Sequence, residues 1–510
     1  MPIMGALIKG VIDVSQNFSS DHHRENQRKV LIELLETAKD TAFGKYYGFA
    51  EIAENQNPTK IFQERLPFFD YNKINELWWS QIQKGRADIT WPGRPSYFAL
   101  SSGTTGKSSK RIPITEDMLE SIRMTGLKQI SAISNFDMPS DFFEKEILML
   151  GSSTRLEKRE DDLEEGEISG ISASNIPFWF RKYYKPGREI AQIDDWDERV
   201  KHIAKNAKNW DIGALSGIPS WMQLMLKEVI RYHKANNIHE IWPNLKAYTS
   251  GGVAFKPYEK SFNSLLGEPI TIIDTYLASE GFLAYQRRPE TSSMQLVTDN
   301  GIFFEFVPFK PEYINADGSL KEDAPAKTMA DVEIDQDYVL VISTVSGAWR
   351  YMIGDTIAFT DVERAEIKIT GRTKFFMNVV GSQLSVNKMN DAVHKLEDKF
   401  DIKLPEFILS ATKVKGEFYH KWIIGKEENL LVSNEELAQA IDQYLKEANK
   451  NYKVARTKAL KGVVVETIPT DLFFEWSGAN KQKGGQVKME KIMPEEKFAE
   501  FEKFVRDHGK

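Results

Sequence analysis

Ser96-Tyr97-Phe98-Ala99-Leu100 runs without a break into Ser101-Ser102-Gly103-Thr104-Thr105-Gly106-Lys107-Ser108-Ser109-Lys110. The first five residues read as a strand. The stretch from Ser101 onward cannot continue a regular element, because glycine and small hydroxyl residues interrupt it. Gly103 and Gly106 permit tight turns in which backbone N–H groups converge on an anion. Ser101, Ser102, Thr104 and Thr105 add hydroxyl donors, and Lys107 and Lys110 add positive charge. Such a loop suits a polyphosphate. Gly106-Lys107-Ser108 has a partial likeness to a Walker A loop, but that motif needs a glycine where Ser101 stands. The segment is therefore a phosphate loop of another kind, placed directly after a strand.

Outward from the loop, Thr115 reads as a helix N-cap with Glu116 and Asp117 in the first turn. Residues 1–90 read as mainly helical. The opening apolar stretch is short, is broken by Lys9 and has no small-residue cleavage site after it, so a packed helix is expected there. Glu157 to Glu167 reads as a solvated acidic surface loop. Residues 210–345 alternate between helix and strand patterns, with strands expected at 270–274, 301–307 and 338–345. The last stretch has a different rhythm: strands at 407–414, 421–424 and 460–466, and a capping box at Ser433-Asn434-Glu435-Glu436 opening a helix. The expected fold is α/β: a large N-terminal domain of β-sheets flanked by helices over 1–375, and a smaller, mobile C-terminal α+β domain over 376–510.

The bulk properties narrow the function. The chain has 510 residues, enough for roughly two or three domains. A net charge of -7 does not favour a nucleic-acid partner. The absence of cysteine excludes disulfides, thiolate metal sites and a cysteine nucleophile, and fits a cytoplasmic location. No apolar run reaches the roughly 18 residues that mark a membrane span. The eight histidines are scattered, without zinc-ligand spacing, and His22-His23 reads as surface. No Gly-x-Ser-x-Gly elbow is present, which argues against an α/β-hydrolase.

Four further segments carry candidate chemistry. Asp274-Thr275-Tyr276-Leu277-Ala278-Ser279-Glu280-Gly281 comes after a strand and so falls at a carboxyl end, where α/β sheets bind ligands. Tyr276 offers a flat ring for a base, Ser279 a hydroxyl, and Glu280 a hard oxygen ligand for Mg2+. In Trp349-Arg350-Tyr351-Met352-Ile353-Gly354-Asp355, the aspartate after a glycine turn could accept from two ribose hydroxyls. Gly371-Arg372-Thr373-Lys374 lies at the expected boundary. Gly484-Gly485-Gln486-Val487-Lys488 sets a lysine beside glycines, where it could swing into a site.

The order and spacing of these segments are similar to those of the adenylate-forming enzymes. Within that superfamily the chain resembles the Gretchen-Hagen (auxin-responsive) acyl-acid amido synthetases. The likeness is carried by Trp91-Pro92-Gly93-Arg94-Pro95 before the phosphate loop, Lys110-Arg111-Ile112-Pro113 after it, Thr41-Ala42-Phe43-Gly44-Lys45 upstream and Trp242-Pro243-Asn244-Leu245-Lys246 downstream. The resemblance implies that Ser101, Ser102, Gly103, Thr104 and Thr105, with Lys110, cradle the phosphates of ATP. It implies that Tyr276 lies against the adenine, that Ser279 belongs to the cofactor-binding set, that Glu280 helps to hold Mg2+, and that Asp355 binds the ribose with Arg372 nearby. Lys374 would sit near a hinge. Lys488 would contact phosphate and carboxylate during catalysis, with Lys491 as its rival. Two departures stand out. Arg350 precedes Tyr351, where the superfamily often places arginine after tyrosine. Met489-Glu490 comes after Lys488, where plant members have Pro-Arg.

The implied function is ATP-dependent activation of a small carboxylic acid as an acyl-AMP, then transfer to an amino acid, by a monomer with ATP and Mg2+ as cofactors and neither nucleic acid nor membrane as partner. A carboxylate is ionised at neutral pH, since its pKa lies near about 4. Adenylation therefore needs no general base, in keeping with a motif set that lacks histidine. Two alternatives remain open: an acyl- or aryl-CoA ligase sharing the first step, and a non-catalytic nucleotide-binding protein. The acid pocket is expected between the phosphate loop and residues 210–255, with Trp221, Met222, Met225, Tyr248 and Phe255 as lining.

Overall fold

The computed structural model describes residues 22–101, 110–159, 163–178, 180–253, 255–315, 318–373, 376–377, 384–414, 417–427, 430–458, 460–479 and 490–508. Ser102, Gly103, Thr104, Thr105, Lys374, Lys488 and the opening apolar stretch lie outside these residues.

Among the described residues, eleven strands form one sheet. Its order runs Ile302–Pro308, Asp337–Thr344, Tyr351–Asp361, Glu366–Arg372, Met294–Leu296, Gly281–Tyr285, Thr271–Ala278, Ala247–Gly251, Ile212–Gly217, Glu146–Leu150, Tyr184–Lys185. From Thr271–Ala278 to the Tyr184 edge, every pairing is parallel. From Thr271–Ala278 the other way, every pairing is antiparallel. Thr271–Ala278 is thus the strand on which the sheet changes character.

The parallel half is dictated by its connections. Ile212–Gly217 leads through the helix Pro219–His233, started by Pro219 in its first turn, back to Ala247–Gly251. Parallel strands require such a crossover. Helix Trp196–Asn206, capped by Asp195 accepting from the Glu198 N–H at 2.7 Å, joins it on the same apolar cluster. Trp221, Met222, Met225, Tyr248 and Phe255 all lie in that cluster, at most 5% exposed. They are core residues packing helix on sheet. In the antiparallel half, Ile302–Pro308 is buried along its whole length. Helix His23–Ala38 covers it: the Gln27 amide donates to the Thr298 and Ile302 carbonyls and accepts from the Phe304 N–H. His23 is buried beside Thr298 at 2.9 Å, so it belongs to this packing and not to the surface.

A second sheet carries Ser101 and Lys110, the two described residues that bound the expected phosphate loop. Tyr97–Ser101 pairs antiparallel with Lys110–Ile114 and parallel with Glu164–Gly166, which in turn pairs with Glu157–Lys158. The acidic run is therefore only partly a solvated loop. Glu165 is 6% exposed and accepts both arms of the Arg111 guanidinium, at 2.7 and 2.9 Å. The ion pair overrides the charge pattern.

The C-terminal part is a three-stranded sheet, Phe407–Val414, Glu417–Lys426, Leu460–Pro469, with helices on both faces. Helix Asn434–Ala448 starts at the expected capping box, with both reciprocal bonds of Ser433 and Glu436 present. Trp422, Leu437 and Ile441 form one apolar layer, and Ile423, Phe473 and Phe501 the other. This part abuts the parallel half of the large sheet. Tyr258 donates to Glu406 at 2.9 Å, Lys260 to the Glu397 carbonyl at 2.6 Å, and the rings of Trp221 and Phe474 meet at 5.8 Å.

Candidate active site

Strand Thr271–Ala278 ends in a tight hairpin. Ala278 and Gly281 are paired, so Ser279 and Glu280 form the turn. Gly281 has φ 148° and its backbone is packed so closely that a Cβ would lie 2.7 Å from Ile302 Cδ1. A side chain there would displace the tip of Ile302 and hold a backbone conformation that L residues rarely adopt. The turn stands where the parallel half of the sheet meets the antiparallel half, at a strand's carboxyl end.

Four sequence-predicted residues converge here. The Tyr276 hydroxyl donates to Asp355 Oδ2 at 2.5 Å, and Arg372 Nε lies 2.8 Å from Asp355 Oδ1. Asp355 and Arg372 sit directly opposite each other on paired strands. Gly354-Asp355 is not the separate turn expected from the sequence. It lies inside the long strand Tyr351–Asp361, bent where Gly354 takes φ 96°. The nearest atoms to a Cβ there would be Thr373 Oγ1 and Arg372 Nη2, near 3.7 and 3.8 Å, so the positive φ is what favours glycine. Glu280 is 7% exposed. Burial pushes its carboxyl above the usual range, while Lys110 and then Arg372 pull it down and Asp355 pushes it up. Burial, then the charge of Asp355, keeps the Tyr276 hydroxyl protonated.

Lys110, at one end of the expected phosphate loop, is close enough to this constellation for its charge to act on Glu280. Ser101 and Lys110 are the last paired residues of their strands and face each other. The Lys110 ammonium lies 5.4 Å from the centre of the Tyr71 ring. The Tyr71 hydroxyl accepts from the Arg111 N–H at 2.9 Å. Tyr351 is also part of the group. It is buried, and its hydroxyl is held protonated by burial first and then by Glu280, Tyr71 and Asp70. Sequence reading missed Tyr71 and Tyr351. Nothing marks Tyr71 locally, whereas Tyr351 stands within a segment that carries candidate chemistry.

Asp274 has no role assigned from the sequence. Burial pushes its carboxyl up to about 6, so it changes charge near neutrality. It lies two residues before Tyr276, in register with Ser250, whose hydroxyl is buried without a hydrogen-bond partner.

Arg350 explains its own departure from the superfamily order. It has φ 39° and is 4% exposed. Its guanidinium forks onto Glu305 at 3.0 and 3.1 Å and also donates to the Gln63 and Leu66 carbonyls. It is a structural clamp between the N-terminal helices and the sheet, which leaves Tyr351 to face Glu280. Lys491 is likewise occupied: its ammonium lies 2.6 Å from Glu406 and 4.6 Å from the centre of the Phe407 ring.

A single Glu280 with two neighbouring tyrosines is not a complete cation cage. Among the described residues, no cluster of three or more acidic or histidine side chains could hold a metal. One buried carboxylate does fit Mg2+ that is otherwise bound by water and substrate phosphates.

Models of the GH3 family N-terminal, central and C-terminal domains match residues 16–205, 295–372 and 387–497. The chain belongs to the GH3 family. Curated relatives include the Indole-3-acetic acid-amido synthetases GH3.2 and GH3.4 of Arabidopsis thaliana. The first is 24% identical over 235 residues, 43% of this chain and 42% of the relative. The second is 22% identical over 273 residues, 50% of this chain and 45% of the relative. The aligned region thus spans less than half the length of these relatives. Among solved structures, the GH3.15 acyl acid amido synthetase superposes with a TM-score of 0.77 at 15% identity, covering 98% of this chain and 95% of that one. A 2-Hydroxyisobutyryl-CoA Ligase in a postadenylation state gives 0.57 at 12% identity, over 94% and 91%. The GH3 chain therefore shares its fold with these two enzymes. No helix among its described residues is long and apolar enough to cross a membrane.

Proposed function

We propose that this GH3 protein activates a small carboxylic acid with ATP and transfers the acyl group to the amine of an amino acid. The observation that carries the reading is the convergence of Tyr276, Asp355, Arg372 and Glu280 beside Ser101 and Lys110. A fixed carboxylate, an aromatic ring and a buried glutamate beside Ser101 and Lys110 support a nucleotide site.

In the first step a carboxylate oxygen attacks the α-phosphorus of ATP. The bond to the bridging oxygen breaks, and pyrophosphate leaves with its electron pair. The protein's part is alignment and charge dispersal. Asp355 accepts from the ribose hydroxyls, held in place by Tyr276 and Arg372. Ser101, Ser102, Thr104, Thr105 and the backbone at Gly103 donate to phosphate oxygens, with Lys110 and Lys488 adding positive charge. Tyr276 borders the adenine, with Ser279 in the adjoining turn. Glu280 supplies an oxygen ligand to Mg2+, which neutralises phosphate charge when bound. In the second step the amine nitrogen attacks the acyl carbon, AMP leaves, and the nitrogen gives up a proton. We also place the division between the two parts of the chain near residue 375, with Lys374 at the hinge, and read the protein as a cytoplasmic monomer.

The test is pyrophosphate release with ATP, Mg2+ and a panel of acids, each with and without mixed amino acids or CoA. Acid-dependent release that amino acids raise, with an amide identified by mass spectrometry, supports the proposal. Stimulation by CoA alone would replace it with the CoA-ligase reading. ATP binding without release from any acid would favour a nucleotide-binding protein.

A further inference from the structure

Arg199 is a buried cation with too few partners. It is 4% exposed, and its only hydrogen bond among the described residues is from Nη1 to the Gly151 carbonyl at 3.3 Å. Its Nε–H is buried with no acceptor at all. No carboxylate among the described residues comes within ion-pair distance of it. A guanidinium has five N–H donors in a planar fork. Leaving the Nε–H dry and unmatched is unfavourable unless an acceptor arrives from outside the chain.

Its position gives the unmatched donors a meaning. Leu150, Gly217, Ser250 and Asp274 stand in register across the carboxyl ends of four parallel strands. Gly151, which Arg199 touches, is the residue after Leu150. From the other side, Ala99 is paired with Gly166, so Glu167 continues the strand that flanks Leu100 and Ser101. The Ser152 hydroxyl donates to Glu167, and Ser169 Oγ accepts from the Ser152 N–H at 3.0 Å. Arg199 therefore lies by the end of the Leu150 strand, near Ser152 and Glu167, and that strand stands about three strand spacings, roughly 14 Å, from the strand of Tyr276. That is the reach of a short acid extending away from the nucleotide. Glu167 does not cancel the charge. It makes no direct ion pair with Arg199, and burial pushes its carboxyl towards the neutral form.

We propose that Arg199 is a specificity residue that binds a second, non-reacting carboxylate of a substrate, with the Ser152 hydroxyl beside it. The inference rests on the acyl-adenylate reading and narrows it. The preferred acid carries an anionic group at its far end, unlike a purely apolar acid, or else the group is the α-carboxylate of the acceptor amino acid.

The experiment measures kcat/KM for matched pairs: butanoate against succinate and benzoate against terephthalate in ATP–pyrophosphate exchange, and alanine against alaninamide in amide formation. The wild type should favour the carboxylate-bearing member of at least one pair by about tenfold or more, the effect of a charge-assisted contact. Arg199→Met should erase that ratio through KM, and Arg199→Lys should restore part of it. A ratio that moves in exchange assigns the group to the acid. One that moves only in amide formation assigns it to the acceptor. If Arg199→Met is poorly folded, thermal stabilisation of the wild type by ATP with succinate or terephthalate, against the monoacid, replaces it. Activity with acids but no preference in any pair, or a preference unmoved in a folded Arg199→Met protein, overturns the inference. Absence of exchange with every acid would instead count against the adenylation reading itself.

Discussion

The Tyr276 hydroxyl reaches Asp355 Oδ2 at 2.5 Å, joining the end of the parallel half of the sheet to the start of a strand on its far side. With Arg372 on the other oxygen, Asp355 is fixed in place before any nucleotide arrives. Asp355→Asn should therefore raise the KM for ATP by about tenfold or more, since hydrogen bonds to a charged partner are each worth about 1.5–3 kcal/mol. Tyr276→Phe should act in the same direction with a smaller effect. Pyrophosphate release at varied ATP checks both, and an unmoved KM for ATP in Asp355→Asn would show that this carboxylate does not meet the ribose.

Glu280 predicts a dependence on the cation. Chelating Mg2+ should stop pyrophosphate release and adding it back should restore it. Glu280→Gln, which keeps the shape and removes the charge, should slow release by about a hundredfold and raise the Mg2+ concentration needed for half-maximal rate. A slower enzyme with an unchanged Mg2+ midpoint would give Glu280 a different task.

Glu406 joins the two parts of the chain. It is fully buried, accepts from Tyr258 at 2.9 Å on one side and meets Lys491 at 2.6 Å on the other. Removing one partner of a buried pair leaves the other charge uncompensated, at about 3–5 kcal/mol. Glu406→Gln should lower the denaturation midpoint accordingly. Tyr258→Phe should do so by about 1–3 kcal/mol, the loss of one bond to a carboxylate. Equal midpoints for wild type and Glu406→Gln would mean that the contact does not persist in solution.

The C-terminal part should be acid-sensitive for two reasons of the same sign. Burial pushes His420 down to about 3, so it stays neutral in the fold while the unfolded chain binds its proton below about 6.5. Arg456, Lys446 and Tyr452 hold Asp442 at about 2, against about 3.9 unfolded. In both cases the unfolded state binds more protons, so stability falls as pH drops. The His420 contribution fades from about pH 6.5 towards 3, and the Asp442 contribution from about pH 4 towards 2. Chemical denaturation across pH should show this slope, and His420→Phe should flatten its upper part. A His420→Phe profile as steep as the wild type between pH 6 and 4 would contradict the burial argument.

Local patterns were legible in the sequence. The Thr115 cap, the Ser433 capping box and the strands at 96–100 and 407–414 are written in nearest-neighbour chemistry; the structure has the caps and the second strand at those places, and shifts the first by one residue to Tyr97–Ser101. What escaped was set by distant partners. Glu165 reads as a surface acid until Arg111, 54 positions earlier, folds onto it. Gly354-Asp355 reads as a turn because its strand is completed by pairing with Glu366–Arg372. Tyr71 and Arg199 have no local signature, and each acquires its neighbours only through the tertiary fold. The candidate site was readable at Tyr276, Glu280, Asp355 and Arg372 because each stands in a segment of recognisable order. Their mutual bonds were not.

The most direct test of the central claim uses a carboxylic acid labelled with heavy oxygen in its carboxylate, with ATP, Mg2+ and amino acids, and mass analysis of the nucleotide product. Passage through an acyl-adenylate predicts AMP carrying one labelled oxygen, because the acid's oxygen stays on the α-phosphorus when the amine takes the acyl group. Label in inorganic phosphate alongside ADP, or unlabelled AMP with an amide formed, would contradict the account.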